Sequence, residues 1–273
     1  MDSRPIGIFD SGIGGLTVAA AIREVLPEES LIYLGDTAHL PYGDKSAQLI
    51  RQYALRITDY LLSELGCKAI VIACNSASAA AYEVLRDKYK GSIPVLNVID
   101  PMIETVVSDT SIGKVGIIGT KATINSGVYQ EKLGRRKPSL KLAALATPLL
   151  AGMIEEGFHD NTVSHAVLHE YLTNESLREI DALILACTHY PLIKKEINEF
   201  FNGRVKLFDS AEVVAQKLRA ILSKEDMLTD KRHQSDRFLV SDYTESFEKT
   251  TRIFYKERIA LEYCPIWDEV TRG

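Results

Sequence analysis

Short apolar runs alternate along the chain with longer segments in which apolar residues recur at helical spacing. The runs occupy residues 5–9, 31–34, 69–73, 114–119, 182–186 and 237–241. Between the second and third runs, residues 46–65 repeat apolar side chains every three or four positions, as one face of a helix requires. Near-continuous apolar strands that alternate with helices are typical of parallel sheets covered on both faces. The pattern predicts an α/β fold with mainly parallel sheets.

The chain also repeats itself. The segment AIVIACNSAS at residues 69–78 resembles ALILACTHYP at 182–191, and IGIFDS at 6–11 resembles VGIIGT at 115–120. The two pairs occur in the same order and at similar offsets, which is the signature of duplicated units. We therefore expect two pseudo-symmetric α/β domains that face each other across a cleft.

The domain boundaries follow from composition and length. Pro101 biases the chain away from helix immediately before a new helical segment, so the first half ends near this point. The part after Asp209 holds a helix, a strand and another helix, which is too little for a third core. We predict a first domain of residues 1–98 plus 210–273 and a second domain of residues 99–209.

Charge and composition exclude several classes of partner. The chain has 32 Lys and Arg against 37 Asp and Glu, a net charge of −5, and no long basic cluster, so no nucleic-acid footprint is expected. No apolar run approaches the ~20 residues that span a bilayer, and the N-terminus has no export signal pattern. We expect a soluble, cytoplasmic protein that has no membrane partner and binds a small polar ligand.

Two of the four cysteines occupy positions suited to chemistry. Cys74 and Cys187 end the repeated strands, and in open α/β sheets ligands bind beyond the carboxyl ends of strands. We expect a helix to start after each thiol, where the helix dipole can lower a thiol pKa. Without a C-x-x-C spacing, the cysteines should be free thiols in a reducing compartment, and Cys67 and Cys264 should be buried apolar residues.

One thiol in each half suits a reaction that moves a proton from one face of a carbon to the other. Such an inversion needs a base on one face and a conjugate acid on the other, and no cofactor. A redox pair or disulfide between Cys74 and Cys187 is an alternative, although closure would require the two halves to move. A Cys/His hydrolase needs one nucleophile and one base, and it leaves Cys74 without a role.

The loops after the first two strands carry further candidates. Residues 10–15, DSGIGG, lack the glycine at position 17 that a dinucleotide-binding loop requires. We expect instead that this turn brings backbone N–H groups and Ser11 to a carboxylate, with Asp10 as a proton acceptor, an ammonium partner or a helix cap. Residues 35–43 are typical of a binding loop or of a surface turn.

His189 follows Cys187 by two residues, which allows a metal half-site. No further ligands stand at zinc-site spacing, so we expect no metal.

The motifs FDSGIGG, YLGDTAHLPYG, ACNSAS and ACTHYP, in this order and at these intervals, resemble those of the glutamate racemase family. The resemblance covers nearly the whole chain. It implies two facing α/β domains with glutamate between them, no cofactor, a role in peptidoglycan precursor supply and a homodimer. The chain departs from the family pattern at Ser76, where threonine is more frequent, so a hydroxyl is kept and a methyl contact is lost.

The resemblance also implies residue roles. Cys74 would take the α-proton of D-glutamate and Cys187 that of L-glutamate. Asp10 and His189 would assist the adjacent thiols. Asp36 and Glu155 would be further catalytic residues, although the neighbouring Glu156 could face the site in place of Glu155. The residues implied to bind substrate are Asp10, Ser11, Pro41, Tyr42, Gly43, Asn75, Ser76, Thr120, Thr123, Thr188 and His189. An aspartate racemase and a non-catalytic amino-acid-binding module are the alternatives.

Overall fold

The computed structural model describes residues 2–268 as two parallel β-sheets flanked by helices. The strands are β1 (Ile6–Asp10), β2 (Leu31–Gly35), β3 (Ala69–Ile72), β4 (Val95–Asn97), β5 (Lys114–Gly119), β6 (Lys141–Ala146), β7 (Ala182–Ala186), β8 (Lys206–Phe208), β9 (Arg237–Val240) and β10 (Leu261–Tyr263). All the strand pairs are parallel, as the apolar runs predict. The expected α/β fold class is confirmed.

The helices cover both faces of the sheets. They are α1 (Leu16–Val25), α2 (Ala47–Ser63), α3 (Asn75–Lys88), α4 (Ile99–Ser108), α5 (Lys121–Asn125), α6 (Val128–Arg136), α7 (Pro148–Glu155), α8 (Thr162–Leu172), α9 (Lys194–Phe200), α10 (Ala211–Lys224) and α11 (Glu245–Phe254). Helix α2 matches the predicted helical face, and the Ser46 side chain caps it by accepting from the Leu49 N–H. Within the described range, no helix combines the length and the apolar character needed to cross a membrane.

Strand order in the two sheets reveals the duplication. The larger sheet has the order β10-β9-β2-β1-β3-β4, and the smaller has β6-β5-β7-β8. The first four strands of the chain therefore repeat the order of β5 to β8, and the strands that carry the repeated motifs, β1, β3, β5 and β7, are central. Side chains of the larger sheet alternate between a core with α1, α4 and α10 and a core with α2 and α3.

Four strands were missed by the apolar pattern, and all four are edge strands. Strands β4 and β10 form the edges of the larger sheet, and β6 and β8 those of the smaller. Three of them have only three residues, and β6 is largely half-buried, so none presents a continuous buried apolar run. The tail after Asp209 accordingly contains one strand more than predicted.

The tail returns to the first sheet. Strand β9 pairs with β2, and β10 pairs with β9. Helix α10 packs mainly against α1 of the first domain and also contacts α4 of the second. On this basis we propose residues 1–98 plus 210–273 as one domain and residues 99–209 as the other.

A buried ion pair attaches the returning tail to the first sheet. The Lys68 Nζ lies 2.7 Å from Glu29 Oε2, and both side chains are buried. The ammonium also donates to the carbonyls of Asp2 and Met227, and Glu29 Oε1 accepts from the Thr229 N–H. Met227 and Thr229 lie between α10 and β9. The ion pair therefore connects the segment at Asp2, the start of β3 and the tail.

Replacing Lys68 by Met should destabilise the protein strongly, because it leaves the Glu29 carboxylate buried without its cation. We expect a loss of about 3–5 kcal/mol in the free energy of unfolding, measured by urea denaturation. The double variant Lys68→Met/Glu29→Leu should recover part of this loss. The control Lys88→Met breaks the exposed pair with Asp59 and should cost about 1 kcal/mol or less. Equal losses in the two single variants would contradict this role of Lys68.

Candidate active site

A cavity of about 220 Å³ lies where the carboxyl ends of the central strands of both sheets meet. Such crevices are the usual ligand sites of open α/β sheets. Its walls come from both halves of the chain and include Ser11, Leu40, Pro41, Tyr42, Gly43, Asp44, Cys74, Asn75, Ser76, Thr120, Lys121, Pro148, Ala151, Gly152, Glu155, Ala186, Cys187, Thr188 and His189. The volume is below the usual range for drug-sized ligands and suits a small metabolite.

Cys74 lies at the N-cap of α3, as the sequence predicts. Its Sγ accepts from the Ala77 N–H at 3.4 Å and donates to Ser11 Oγ at 3.7 Å. Burial and the nearby Asp10 nevertheless raise the pKa of Cys74 to about 12, although the Ala77 N–H and Ser11 oppose the shift. The N–H at the helix terminus lowers this pKa, as expected, but burial and Asp10 outweigh it, so Cys74 is a neutral thiol at neutral pH.

Cys187 has a different environment. The segment after it forms a short 3₁₀ helix, Tyr190–Ile193, and α9 begins only at Lys194, so the expected α-helix N-terminus next to Cys187 is absent from this described segment. Instead, the Cys187 Sγ lies 3.5 Å from His189 Nδ1. An imidazolium at this distance can stabilise a thiolate as the helix dipole was expected to do.

His189 connects Cys187 to a carboxylate. Its Nε2 lies 2.7 Å from Glu155 Oε1, so both ring nitrogens face acceptors, as suits the doubly protonated ring. Burial lowers the pKa of His189, but Cys187 and Glu155 together raise it well above its ordinary value. The adjacent Glu156 is exposed and does not line the cavity, so Glu155 is the acidic residue that faces the site.

Asp10 lies beneath the cavity wall and not on it. Its carboxylate accepts from the Gly12 N–H at 3.0 Å and from Thr188 Oγ1 at 3.5 Å. Burial raises the pKa of Asp10, and His189 and the N–H groups of Gly12 and Gly15 oppose this. Asp10 is thus close enough to influence Cys74 and also touches the second half of the chain through Thr188.

The glycines of residues 12–15 have a role that the sequence did not reveal. A Cβ on Gly14 would lie 2.5 Å from His189 Nδ1 and 2.7 Å from Thr188 Oγ1, and one on Gly15 would lie 2.5 Å from Asp10 Cβ. These distances leave no room for a side chain. The turn therefore brings the backbone of the first half directly against His189 of the second.

Hydroxyl and amide groups from both halves meet on the opposite wall. Ser76 Oγ lies 2.9 Å from Thr120 Oγ1 and 3.3 Å from Thr123 Oγ1. Asn75 accepts a hydrogen bond from Tyr129 OH, while its buried Nδ2 has no hydrogen-bond partner among the described residues. A buried donor left free beside a cavity is suited to a ligand oxygen, because an unsatisfied buried amide costs free energy.

The structure brings most, but not all, of the residues predicted for the site to the cavity. Asp10, Asp36 and Thr123 lie behind its wall, whereas the other predicted residues line it. Sequence reasoning missed Leu40, Asp44, Lys121, Pro148, Ala151, Gly152 and Ala186. Most of these are apolar or small and carry no chemical signal. Lys121 and Asp44 form an exposed ion pair, 3.3 Å from Nζ to Oδ1, that bridges the two halves at the rim.

Neither a disulfide nor a clustered set of metal ligands is present among the described residues. All four cysteines are free thiols. Among residues 2–268, no three or more His, Cys, Asp and Glu side chains are grouped as a metal site requires.

Comparisons with known proteins identify the family. The model of the Asp/Glu/Hydantoin racemase family matches residues 16–218. The chain belongs to the Asp/Glu/hydantoin racemase family. Among curated relatives, a glutamate racemase of Geobacter metallireducens is 42% identical over 264 residues, 96% of this chain and 97% of that protein. A glutamate racemase of Chlorobaculum tepidum is 41% identical over 251 residues, 92% of each chain.

A solved structure of this racemase family matches the fold. The crystal structure of glutamate racemase from Francisella tularensis in complex with D-glutamate superposes with a TM-score of 0.91 at 36% identity. The match covers 98% of this chain and 100% of the other. That structure therefore shares the α/β fold with two parallel sheets.

Alkylation should distinguish the two cavity thiols of this racemase-family chain. Their exposures are similar, 5% for Cys74 and 7% for Cys187, so protonation decides their reactivity. At pH 7, iodoacetamide should modify Cys187, which has His189 beside its sulfur, faster than Cys74, whose pKa is raised by burial. Labelling of Cys74 should increase with pH. Peptide mass spectrometry measures both rates.

Two controls accompany this measurement. His189→Gln should slow labelling of Cys187, because it removes the cation beside the sulfur. Cys67 and Cys264 are buried outside the cavity and should react slowly throughout. Faster labelling of Cys74 than of Cys187 at pH 7 would show that the assignment of protonation states is wrong.

Proposed function

We propose that this chain interconverts L- and D-glutamate by two-thiol proton transfer, without a cofactor. The observation that carries the proposal is that Cys74 and Cys187 line one cavity from different sheets. The curated relatives named glutamate racemase, together with the structure that holds D-glutamate, support glutamate as the substrate. The reaction needs one base and one acid on opposite faces of Cα, and two thiols supply both.

In the direction from L- to D-glutamate, the Cys187 thiolate takes the α-proton and the C–H electron pair remains on the substrate as a carbanion. The Cys74 thiol then gives its proton to the opposite face of Cα. The products are D-glutamate, a Cys187 thiol and a Cys74 thiolate, so charge and protons balance. The reverse reaction uses the same groups in exchanged roles.

The surroundings of the two thiols support a start from L-glutamate. His189, whose pKa is raised well above its ordinary value, lies 3.5 Å from the Cys187 sulfur and places a cation beside it. Burial and Asp10 raise the pKa of Cys74 to about 12, so this thiol is suited to act as the acid when L-glutamate is the substrate. After one turnover the thiols must exchange protons with solvent or act on D-glutamate.

Polar groups on both walls support recognition of two carboxylates. Ser11 and the Asn75 Nδ2 belong to the first half, and Thr120 and Thr188 belong to the second. We propose that the substrate-binding residues predicted from the sequence hold glutamate so that Cα lies between the thiols. Asp10, His189 and Glu155 act by setting the charge around the two sulfurs.

The cellular setting is part of the same proposal. We propose that the chain acts in the cytoplasm in peptidoglycan precursor synthesis, and its four free cysteines fit a reducing compartment. We also propose a homodimer. Exposed apolar side chains on α7, α8 and the turn between them, Leu149, Phe158 and Val163, fit an interface between subunits.

Removal of either thiol should abolish racemisation while leaving the fold intact. Cys74→Ala and Cys187→Ala should each lower kcat by at least about 10²–10⁴-fold, the usual value of one catalytic proton transfer. The assay follows optical rotation and α-deuteration of L-glutamate in deuterium oxide, with dialysed enzyme and no added pyridoxal phosphate. Cys67→Ala, a buried thiol outside the cavity, is the matched control. Near-normal turnover by either cavity variant would refute the two-thiol mechanism, and binding without turnover by the wild type would favour an amino-acid-binding module.

Glutamate should be preferred over aspartate. Aspartate is shorter by one methylene, so it cannot satisfy donors placed for both carboxylates of glutamate at once. We expect kcat/KM for aspartate to be lower by roughly 10–200-fold, the range for one methylene, and by more if a buried donor is left unpaired. Initial rates with L-aspartate and L-glutamate under one set of conditions decide this. Comparable values would favour the aspartate racemase alternative.

A further inference from the structure

Asp36 joins three segments of the chain behind the cavity wall. Its fully buried carboxylate accepts from Tyr42 OH at 2.6 Å, from Ser241 Oγ at 2.7 Å and from Trp267 Nε1 at 2.8 Å. His39 Nδ1 lies 3.1 Å from both oxygens. The donors come from the loop after β2, from the end of β9 and from the segment after β10.

These contacts favour a positioning role over a role in proton transfer. Asp36 does not line the cavity. Tyr42 donates to its Oδ2, and Ser241 and Trp267 donate to its Oδ1. Tyr, Ser and Trp side chains that all donate to one group are the partners of an ionised carboxylate, which accepts only. A group held in this way has no free oxygen directed at a substrate.

The residue that Asp36 holds does line the cavity. Tyr42 is buried, and its neighbours Pro41 and Gly43 also contribute to the wall. A Cβ on Gly43 would lie 2.9 Å from Thr120 Cβ, so this loop is packed directly against the second half of the chain. The loop that carries Tyr42 therefore forms part of the cavity wall and also contacts Thr120.

Trp267 is the chain's single tryptophan, and both its N–H and its ring face this loop. Its ring meets His39 edge-on at 4.6 Å between centroids and Tyr53 at 5.4 Å. His39 in turn stacks on Tyr53 at 4.1 Å. Phenylalanine at position 267 would keep a smaller aromatic ring here and remove the donor to Asp36.

We propose that Trp267 is a positioning residue for substrate binding. Through Asp36 it holds Tyr42 and the loop of residues 37–44 in the conformation that receives a substrate carboxylate. This inference rests on the proposed function, and it assigns the segment after β10, far from the thiols in sequence, to the binding site.

Steady-state kinetics with both enantiomers test the inference. Trp267→Phe and Asp36→Asn should raise KM for L- and D-glutamate at least about fivefold, with kcat within about twofold of the wild type. A loss of binding that is equal in the ground and transition states has this signature, whereas loss of an acid or base lowers kcat. Tyr263→Phe is the matched control. It removes an aromatic hydroxyl of β10 that donates to the Asp268 side chain and not to Asp36. It should leave both constants unchanged.

Fluorescence gives a readout that does not depend on turnover. Addition of glutamate to the wild type should change the emission of Trp267 with a midpoint close to KM. In Tyr42→Phe, which removes the hydrogen bond from Tyr42 to Asp36 but leaves His39 beside the carboxylate, saturating glutamate should produce a smaller change in emission than in the wild type. This measurement tests the positioning role of Trp267 even if Trp267→Phe fails to fold.

The possible failures are distinguishable. A wild type that does not racemise glutamate would overturn the proposed function and this inference together. Wild-type turnover with unchanged KM in Trp267→Phe, or emission that does not respond to glutamate, would overturn this inference alone. A drop in kcat at constant KM in Asp36→Asn would instead make Asp36 an acid or base of the reaction.

Discussion

The separation of the two sheets depends on contacts too close to admit a side chain. Gly14 lies against His189, and Gly43 lies against Thr120, so the backbone of the first half rests on side chains of the second at two points. A methyl group at either position would force the halves apart, because closely packed interiors absorb such strain poorly. These two contacts flank the cavity and, together with the hydrogen bonds of Ser76 to Thr120 and of Tyr129 to Asn75, hold the two halves against each other.

Within that cavity the two thiols follow equivalent strands of the two sheets but have unlike surroundings. Cys74 caps a helix yet is kept neutral by burial and Asp10, whereas Cys187 has lost the helix and gained His189, itself held by Glu155. Two-base chemistry requires one protonated and one ionised thiol at a time, and the different surroundings of the two sulfurs favour one assignment of these roles over the other.

Residues outside the cavity also hold its lining residues in place. The tail after residue 209 adds two strands to the first sheet, and the buried Lys68–Glu29 pair fastens the start of that return. Its far end supplies Ser241 and Trp267 to Asp36, and Asp36 holds the loop that closes the cavity. Segments that are distant in sequence thus limit the freedom of a binding loop, which reduces the entropy lost when a ligand orders it.

Local patterns in the sequence were sufficient for the fold class, the central strands and the duplication, because buried parallel strands must be apolar throughout and a repeat preserves their order. The motifs at the strand ends also located Cys74 and Cys187, since strand ends in such sheets converge on one edge. Tertiary structure alone decided the rest. Edge strands lack a continuous apolar run, and the high pKa of Cys74 arises from burial by residues remote in the chain. The place of Asp36 behind the wall depends on donors some 200 positions away, a distance over which no local pattern carries information.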